Sequence, residues 1–187
     1  MPEPPAQIVF YYDLGDPECH LAAERAVAAL GGAAEWEPVL ASAGFAAPDE
    51  PDLTALARRA QSLGLQPLRW PRAWPPDTRD AMLAATYAKQ VGRTIAFSLA
   101  AFRQAFAGGR DLSELDTVLI AGAACEIHPA ALIKATRLRS VADRLDAAVA
   151  RAHRAGVDRL PGVTVDGEVF AGAGAIEAAA RALSEAA

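Results

Sequence analysis

Residues 7–13, Gln7-Ile8-Val9-Phe10-Tyr11-Tyr12-Asp13, form a continuous β-branched and aromatic run that stops at Leu14-Gly15-Asp16. Such a run, bounded by turn residues, predicts a strand buried on both faces. Asp16-Pro17-Glu18-Cys19 follows, then an Ala-rich stretch closed by Gly31-Gly32. Asp16 has the acceptor side chain of an N-cap, Pro17 suits the first helical position, and the glycines suit a helix stop. Residues 35–40 read as a second strand. The unit is βαβ, which predicts parallel strands joined by a helical crossover.

From about 48 to 156 the strand pattern disappears and only helical segments remain. They are expected at about 52–62, from Asp77 to near Gly92, at about 94–107, and at about 140–155, with shorter pieces after Pro129. Asp111 and Glu114 have capping-box spacing for a further helix that fades near Ile127-His128-Pro129. A Pro- and Trp-rich connector, residues 66–76, links the first two. Strand signals return at 161–165 and 168–170, on either side of Asp166-Gly167, a dipeptide favoured in two-residue hairpin turns. A last helix is expected at about 175–185. The order βαβ, helices, ββα predicts an α/β fold with one four-stranded sheet. Its sheet-forming parts are 6–47 and 156–187, and 48–155 is an all-helical insertion.

Composition narrows the classes of function. The 187 residues are 52% hydrophobic and 22% charged, which excludes disorder and collagen-like repeats. Alanine fills 46 positions, and so much of it favours closely packed helices. The net charge of −5 is dispersed, and no basic cluster interleaved with aromatics argues for nucleic acid. No apolar run approaches the roughly 18–20 residues of a membrane span. The start Met1-Pro2-Glu3-Pro4-Pro5 lacks the charged and apolar regions of a signal peptide. Two cysteines far apart make a disulfide framework improbable, and the chain is expected in the reducing cytoplasm.

Several strings together resemble the thioredoxin fold with a helical insertion, as in DsbA-type oxidoreductases, 2-hydroxychromene-2-carboxylate isomerases and kappa-class glutathione transferases. Phe10-Tyr11-Tyr12-Asp13 followed by Asp16-Pro17-Glu18-Cys19-His20-Leu21-Ala22 is similar to the family's first strand and active-site helix. Trp36-Glu37-Pro38-Val39-Leu40 is similar to its second strand, and the connector 68–78 to that of the isomerases. Gly156-Val157-Asp158-Arg159-Leu160-Pro161 and Val165-Asp166-Gly167-Glu168-Val169-Phe170 resemble the cis-proline loop and hairpin. The resemblance implies a cis peptide between Leu160 and Pro161, facing the start of the first helix. It also implies that the backbone before Pro161 meets an extended peptide or thiol ligand.

The active-site string departs from the redox pattern. Where the family has Cys-x-x-Cys, this chain has Asp16-Pro17-Glu18-Cys19, so the attacking thiol is a carboxylate. A dithiol cycle needs both sulfurs, and it cannot run here. The isomerase and transferase branch carries a serine at the first position, which hydrogen-bonds the glutathione sulfur. An ionised Asp16 would repel a thiolate; a protonated one could donate, but a helix N-terminus lowers a carboxyl pKa. The branch's Asp-Arg after the hairpin, whose Asp holds the glutathione amine, is replaced by Gly174-Ala175. Glutathione is the one cofactor the resemblance brings, and these two departures weigh against it.

Asp16, Cys19 and His20 are therefore the candidate catalytic residues, and Leu160, Pro161, Tyr12 and Trp70 the candidate substrate contacts. Cys19 falls at the third helical position, where the helix field favours a thiolate while Asp16 and Glu18 oppose it; a shielded thiol is the alternative. Asp16 reads as a helix cap, a proton-transfer group, or both. His20 reads as a half-buried surface histidine or a catalyst. Trp70, Trp74, Phe97 and Phe102 either line an apolar cleft or fill the core. The three His and two Cys lack metal-ligand spacing. The expected activity is thiol-dependent isomerisation or transfer on a small hydrophobic substrate, without dithiol redox chemistry. The alternative is a non-catalytic ligand- or peptide-binding protein. Partners are a small-molecule or thiol ligand and, from the Ala-rich helices, a second copy in a homodimer.

Overall fold

A computed structural model describes residues 6–32, 34–46 and 51–185. The proline-rich start and the 47/48 boundary expected for the insertion lie outside them. Strand β1 (Ile8–Tyr12) is buried at all five positions, as its unbroken apolar sequence requires. Helix α1 (Pro17–Ala29) connects it to β2 (Glu35–Pro38). Six helices follow: α2 (Leu53–Ser62), α3 (Arg79–Gln90), α4 (Thr94–Phe106), α5 (Leu115–Ala124), α6 (Pro129–Ala135) and α7 (Arg139–Arg154). Strands β3 (Gly162–Val165) and β4 (Glu168–Ala171) and helix α8 (Ala175–Glu185) complete the chain.

The four strands make one sheet in the order β2-β1-β3-β4. β1 runs parallel to β2, with Tyr12 opposite Pro38, and antiparallel to β3, with Tyr11 opposite Gly162. Asp166 and Gly167 have φ of 49° and 89°, the paired left-handed conformations of a tight hairpin turn between β3 and β4. The two ends of the chain thus meet in one α/β sheet.

One core runs from the sheet into the helices. Phe10, Tyr12, Trp36 and Phe102 pack with ring centroids 4.9–5.9 Å apart. Tyr12 is fully buried, and an unpaired buried hydroxyl there would cost about 1–3 kcal/mol. Ser98 of α4 removes that cost with a 2.6 Å hydrogen bond to Tyr12 Oη. The Leu14 amide donates to Met82 Sδ of α3 at 3.2 Å. Leu21, Leu56 and Ala60 form a separate small apolar patch that seats α2 on α1.

Some element starts differ from expectation, and the polar side chains say why. Asp77 does not open α3: its Oδ1 accepts the Arg79 amide, and the helix begins after Thr78. Asp111 does not cap α5 but accepts the Ser113 amide in a tight turn. Glu114 stands at the N-cap with no side-chain bond to the helix. The second strand ends at Pro38 rather than residue 40, although the Val39 amide still donates to Tyr12 O at 3.0 Å.

Candidate functional site

Asp16 lies at the C-terminal end of β1, where the chain turns into α1. Its backbone is extended (φ −93°, ψ 119°), and its Oδ1 accepts the amides of Glu18 at 2.7 Å and Cys19 at 3.1 Å. Pro17 takes the next position, where no amide is needed. Oδ2 has no hydrogen-bond partner among the described residues, and it is not fully enclosed. Burial lifts the Asp16 carboxyl to about 7, assisted by the neighbouring Asp13 and Glu18 charges and opposed by the two amides. Desolvation outweighs the helix field that the sequence alone brought forward. Near neutral pH a large share of Asp16 is a carboxylic acid with one oxygen open.

Asp13, three residues earlier, is only 2% exposed. Its Oδ1 accepts the Gly15 amide at 2.8 Å, and its Oδ2 accepts the Ala41 amide at 2.8 Å and the Thr78 hydroxyl at 3.1 Å. One carboxyl group thus joins the β1–α1 loop, the segment after β2 and the entry to α3. The fit is close: a Cβ on Gly15 would come within 2.5 Å of Thr78 Cγ2. Burial raises the Asp13 carboxyl, and the Ala41, Gly15 and Thr78 hydrogen bonds pull it down.

Cys19 has no exposed surface. Burial pushes its thiol well above its ordinary value, and the Asp16 charge adds to the rise. Of the two readings of Cys19, this is the environment of a shielded thiol. Cys125, in the α5 cap, is also free and buried. His20 is not a surface histidine: it is 4% exposed, its ring stacked on Phe106 at 5.3 Å and tilted against Phe102 at 5.8 Å. Its Nδ1 is buried without a partner, and burial lowers its pKa to about 4. It faces α4 as a neutral ring.

The Leu160–Pro161 peptide is cis, as is Trp74–Pro75. With Tyr11 opposite Gly162, the antiparallel register brings Pro161 to the end of β1 from which Asp16 emerges. Leu160 and Pro161 are buried, and Pro161 O accepts the Gly172 amide at 2.8 Å. Arg59 of α2 connects the two sides: it pairs with Glu18 and donates to Ala173 O at 2.9 Å. Trp70 is half-buried against Trp74 and Phe106, with centroids 5.3 and 5.9 Å away. Phe97 and Phe102 are fully buried core rings, as is Tyr12, which offers no surface to a ligand.

Sequence reasoning thus brought Asp16, Cys19, Leu160 and Pro161 to one end of the sheet and missed Asp13 and Arg59. Asp13 reads locally as the end of a strand, and its partners lie 28 and 65 residues away. Arg59 lies 41 residues from Glu18, on a helix whose exposed face mixes Leu53 and Ala57 with Thr54, Arg58 and Gln61 and so singles out no residue. Among the described residues no cluster of His, Cys, Asp or Glu is placed to hold a metal ion.

A four-stranded β2-β1-β3-β4 sheet, with a helix N-terminus at the end of its central parallel strand, is the fold of a thioredoxin-like protein. The chain belongs to the DSBA-like thioredoxin domain family, whose model matches residues 7–184. Its structure is similar to that of 2-hydroxychromene-2-carboxylate isomerase, with TM-score 0.83, 16% identity, and 96% of this chain and 95% of that one covered. The cytosolic disulfide reductase DsbM from Pseudomonas aeruginosa, solved with glutathione, matches with TM-score 0.66 and 16% identity over 96% and 98% of the two chains. Pseudomonas aeruginosa DsbA gives TM-score 0.62 and 12% identity over 98% and 83%. No curated protein matches the chain by sequence.

Proposed function

We propose that this member of the family does not carry out dithiol redox chemistry but acts as an isomerase- or transferase-like protein on a small, largely apolar ligand. The ligand is held at the sheet end between Asp16 and Leu160-Pro161, with Trp70 at its apolar margin. Asp16 donates a proton or hydrogen bond to a ligand heteroatom, a sulfur or a carbonyl oxygen. The observation that carries this reading is the half-buried Asp16 carboxyl at the helix start, whose Oδ1 takes both cap amides while Oδ2 has no partner among the described residues; burial lifts its pKa to about 7. A general acid works best with a pKa near the operating pH. The likeness to 2-hydroxychromene-2-carboxylate isomerase supports the reaction class, and that to DsbM, solved with glutathione, supports a thiol-derived ligand. The unpaired cysteines support a reducing, cytoplasmic setting.

The test is ligand binding by thermal shift and calorimetry with glutathione and its S-benzyl thioether, between about pH 5.5 and 8.5. Binding should weaken as pH rises through the Asp16 midpoint of about 7, because the donor is lost. Asp16→Asn should flatten that dependence. No response to either compound across the range overturns the reading. A second reading, a binding protein without catalysis, is favoured by the complete burial of Cys19. Binding without turnover of any thiol adduct would select it.

A further inference from the structure

We infer that Asp13 is a positioning residue for Asp16: the buried carboxylate that fixes the loop carrying Asp16 and remains ionised so that Asp16 holds the proton. The inference rests on the reading of Asp16 as an acid. The hydrogen bonds divide the two carboxyl groups into different roles. Three donors converge on Asp13, from the Gly15 amide, the Ala41 amide and the Thr78 hydroxyl. The ionised form accepts all three as charge-assisted bonds, whereas a proton on Asp13 would weaken them and leave a buried O–H with no acceptor among its described partners. Asp16 receives two amides on the same oxygen, so a proton on Oδ2 displaces nothing. Neighbouring carboxylates in a poorly solvated site resist double ionisation, and the one with fewer donors keeps the proton.

Asp13 also sets the position of the second acid. The Asp16 amide donates to Asp13 O at 3.2 Å, and the Gly15 amide between them is bound to the Asp13 side chain. The other charged and titratable groups around the pair are Tyr12 of β1, Glu18 and Cys19 of α1, and Arg59 of α2, which is engaged with Glu18. The entry to α3 contributes the neutral Thr78, and His20 is turned toward α4.

The test is a carboxyl 13C NMR titration of the full chain, without ligand, for wild type, Asp13→Asn and Thr78→Val. Asp13→Asn should lower the Asp16 midpoint by roughly half a unit or more, since a neighbouring negative charge is removed. Thr78→Val should raise the Asp13 midpoint, because one of its three donors is gone. An unmoved Asp16 in Asp13→Asn overturns the inference, as does a wild type in which Asp13 keeps its proton to higher pH than Asp16. If Asp13→Asn does not fold, Thr78→Val decides: a raised Asp13 midpoint should be matched by a lowered Asp16 midpoint, and an Asp16 that stays put, or an unmoved Asp13, overturns it. A purely structural Asp13 would leave the Asp16 midpoint in place. Because no ligand is present, failure of the proposed ligand chemistry and failure of this inference are read in separate experiments.

Discussion

Glu18 in the first turn of α1 is paired with Arg59, 41 residues further along the chain, and the same guanidinium holds the carbonyl of Ala173 beyond β4. Helix α2 has little else to secure it, since only Leu56 and Ala60 are buried along its length. Its place beside the first turn of α1 depends on that small apolar patch and on one part-exposed cation.

Arg59→Ala should therefore cost at most about 1 kcal/mol of global stability, as half-exposed ion pairs do. Its main effect should be local: faster amide hydrogen exchange across α2, read by mass spectrometry, with the sheet unchanged. Unchanged exchange in α2 would show that the Leu21–Leu56–Ala60 patch holds the helix alone.

The two thiols should be silent in the native protein. An aromatic disulfide reagent should label neither Cys19 nor Cys125 under native conditions and both in denaturant, because both are buried. Asp16→Cys should restore the family spacing at the N-cap and third helical positions. Mild oxidation should then give a reducible disulfide with Cys19, detected by alkylation before and after reduction. Failure to form it would place the two positions outside bonding reach.

Stability should depend on pH through two opposed groups. The folded-state pKa of Asp16, about 7, lies above its unfolded value, so its contribution is full below the ordinary carboxylate range and is lost as pH rises through about 7. The folded-state pKa of His20, about 4, lies below its unfolded value, so its contribution is full above about 6.5 and is lost as pH falls through about 4. Asp16→Asn, which keeps a capping side chain, should reduce the loss on the alkaline side, leaving the part due to the raised Asp13 carboxyl. His20→Phe should reduce the loss on the acid side. Urea unfolding at intervals from about pH 4 to 8 checks both, and parallel curves for variants and wild type would refute the assignment.

Gly15 has no room for a methyl group beside Thr78 and Pro76. Gly15→Ala should destabilise the chain by about 1–3 kcal/mol through overpacking. Thr78→Ser removes the contacting methyl while keeping the hydroxyl donated to Asp13, so the double variant should recover part of the loss. Additive losses in denaturant unfolding would place the strain elsewhere.

What was legible in the sequence was whatever depends on neighbours in the chain. The strand at Ile8–Tyr12, the Asp16-Pro17 helix start and the Asp166-Gly167 turn are local signals, and each is where it was expected. The order of elements was enough to bring the two ends of the chain into one sheet. Distance in sequence hid the rest. Asp77 and Asp111 carry the side chains of helix caps, but each is taken by a nearby turn amide. Nothing near His20 announces the two phenylalanines of α4 that enclose it. The acidity of Asp16 reversed for the same reason: the helix field is local, whereas the burial that overrides it comes from the whole fold.

The bond from Tyr12 to Ser98 and the contact of Leu14 with Met82 leave the strands without a complete roof of their own. Stripped of α3 and α4, the sheet would present its aromatic rings to water and clump. Helices α3 and α4 are thus the ceiling of the sheet, and with one core shared between them, sheet and helices should assemble, and melt, as one cooperative event.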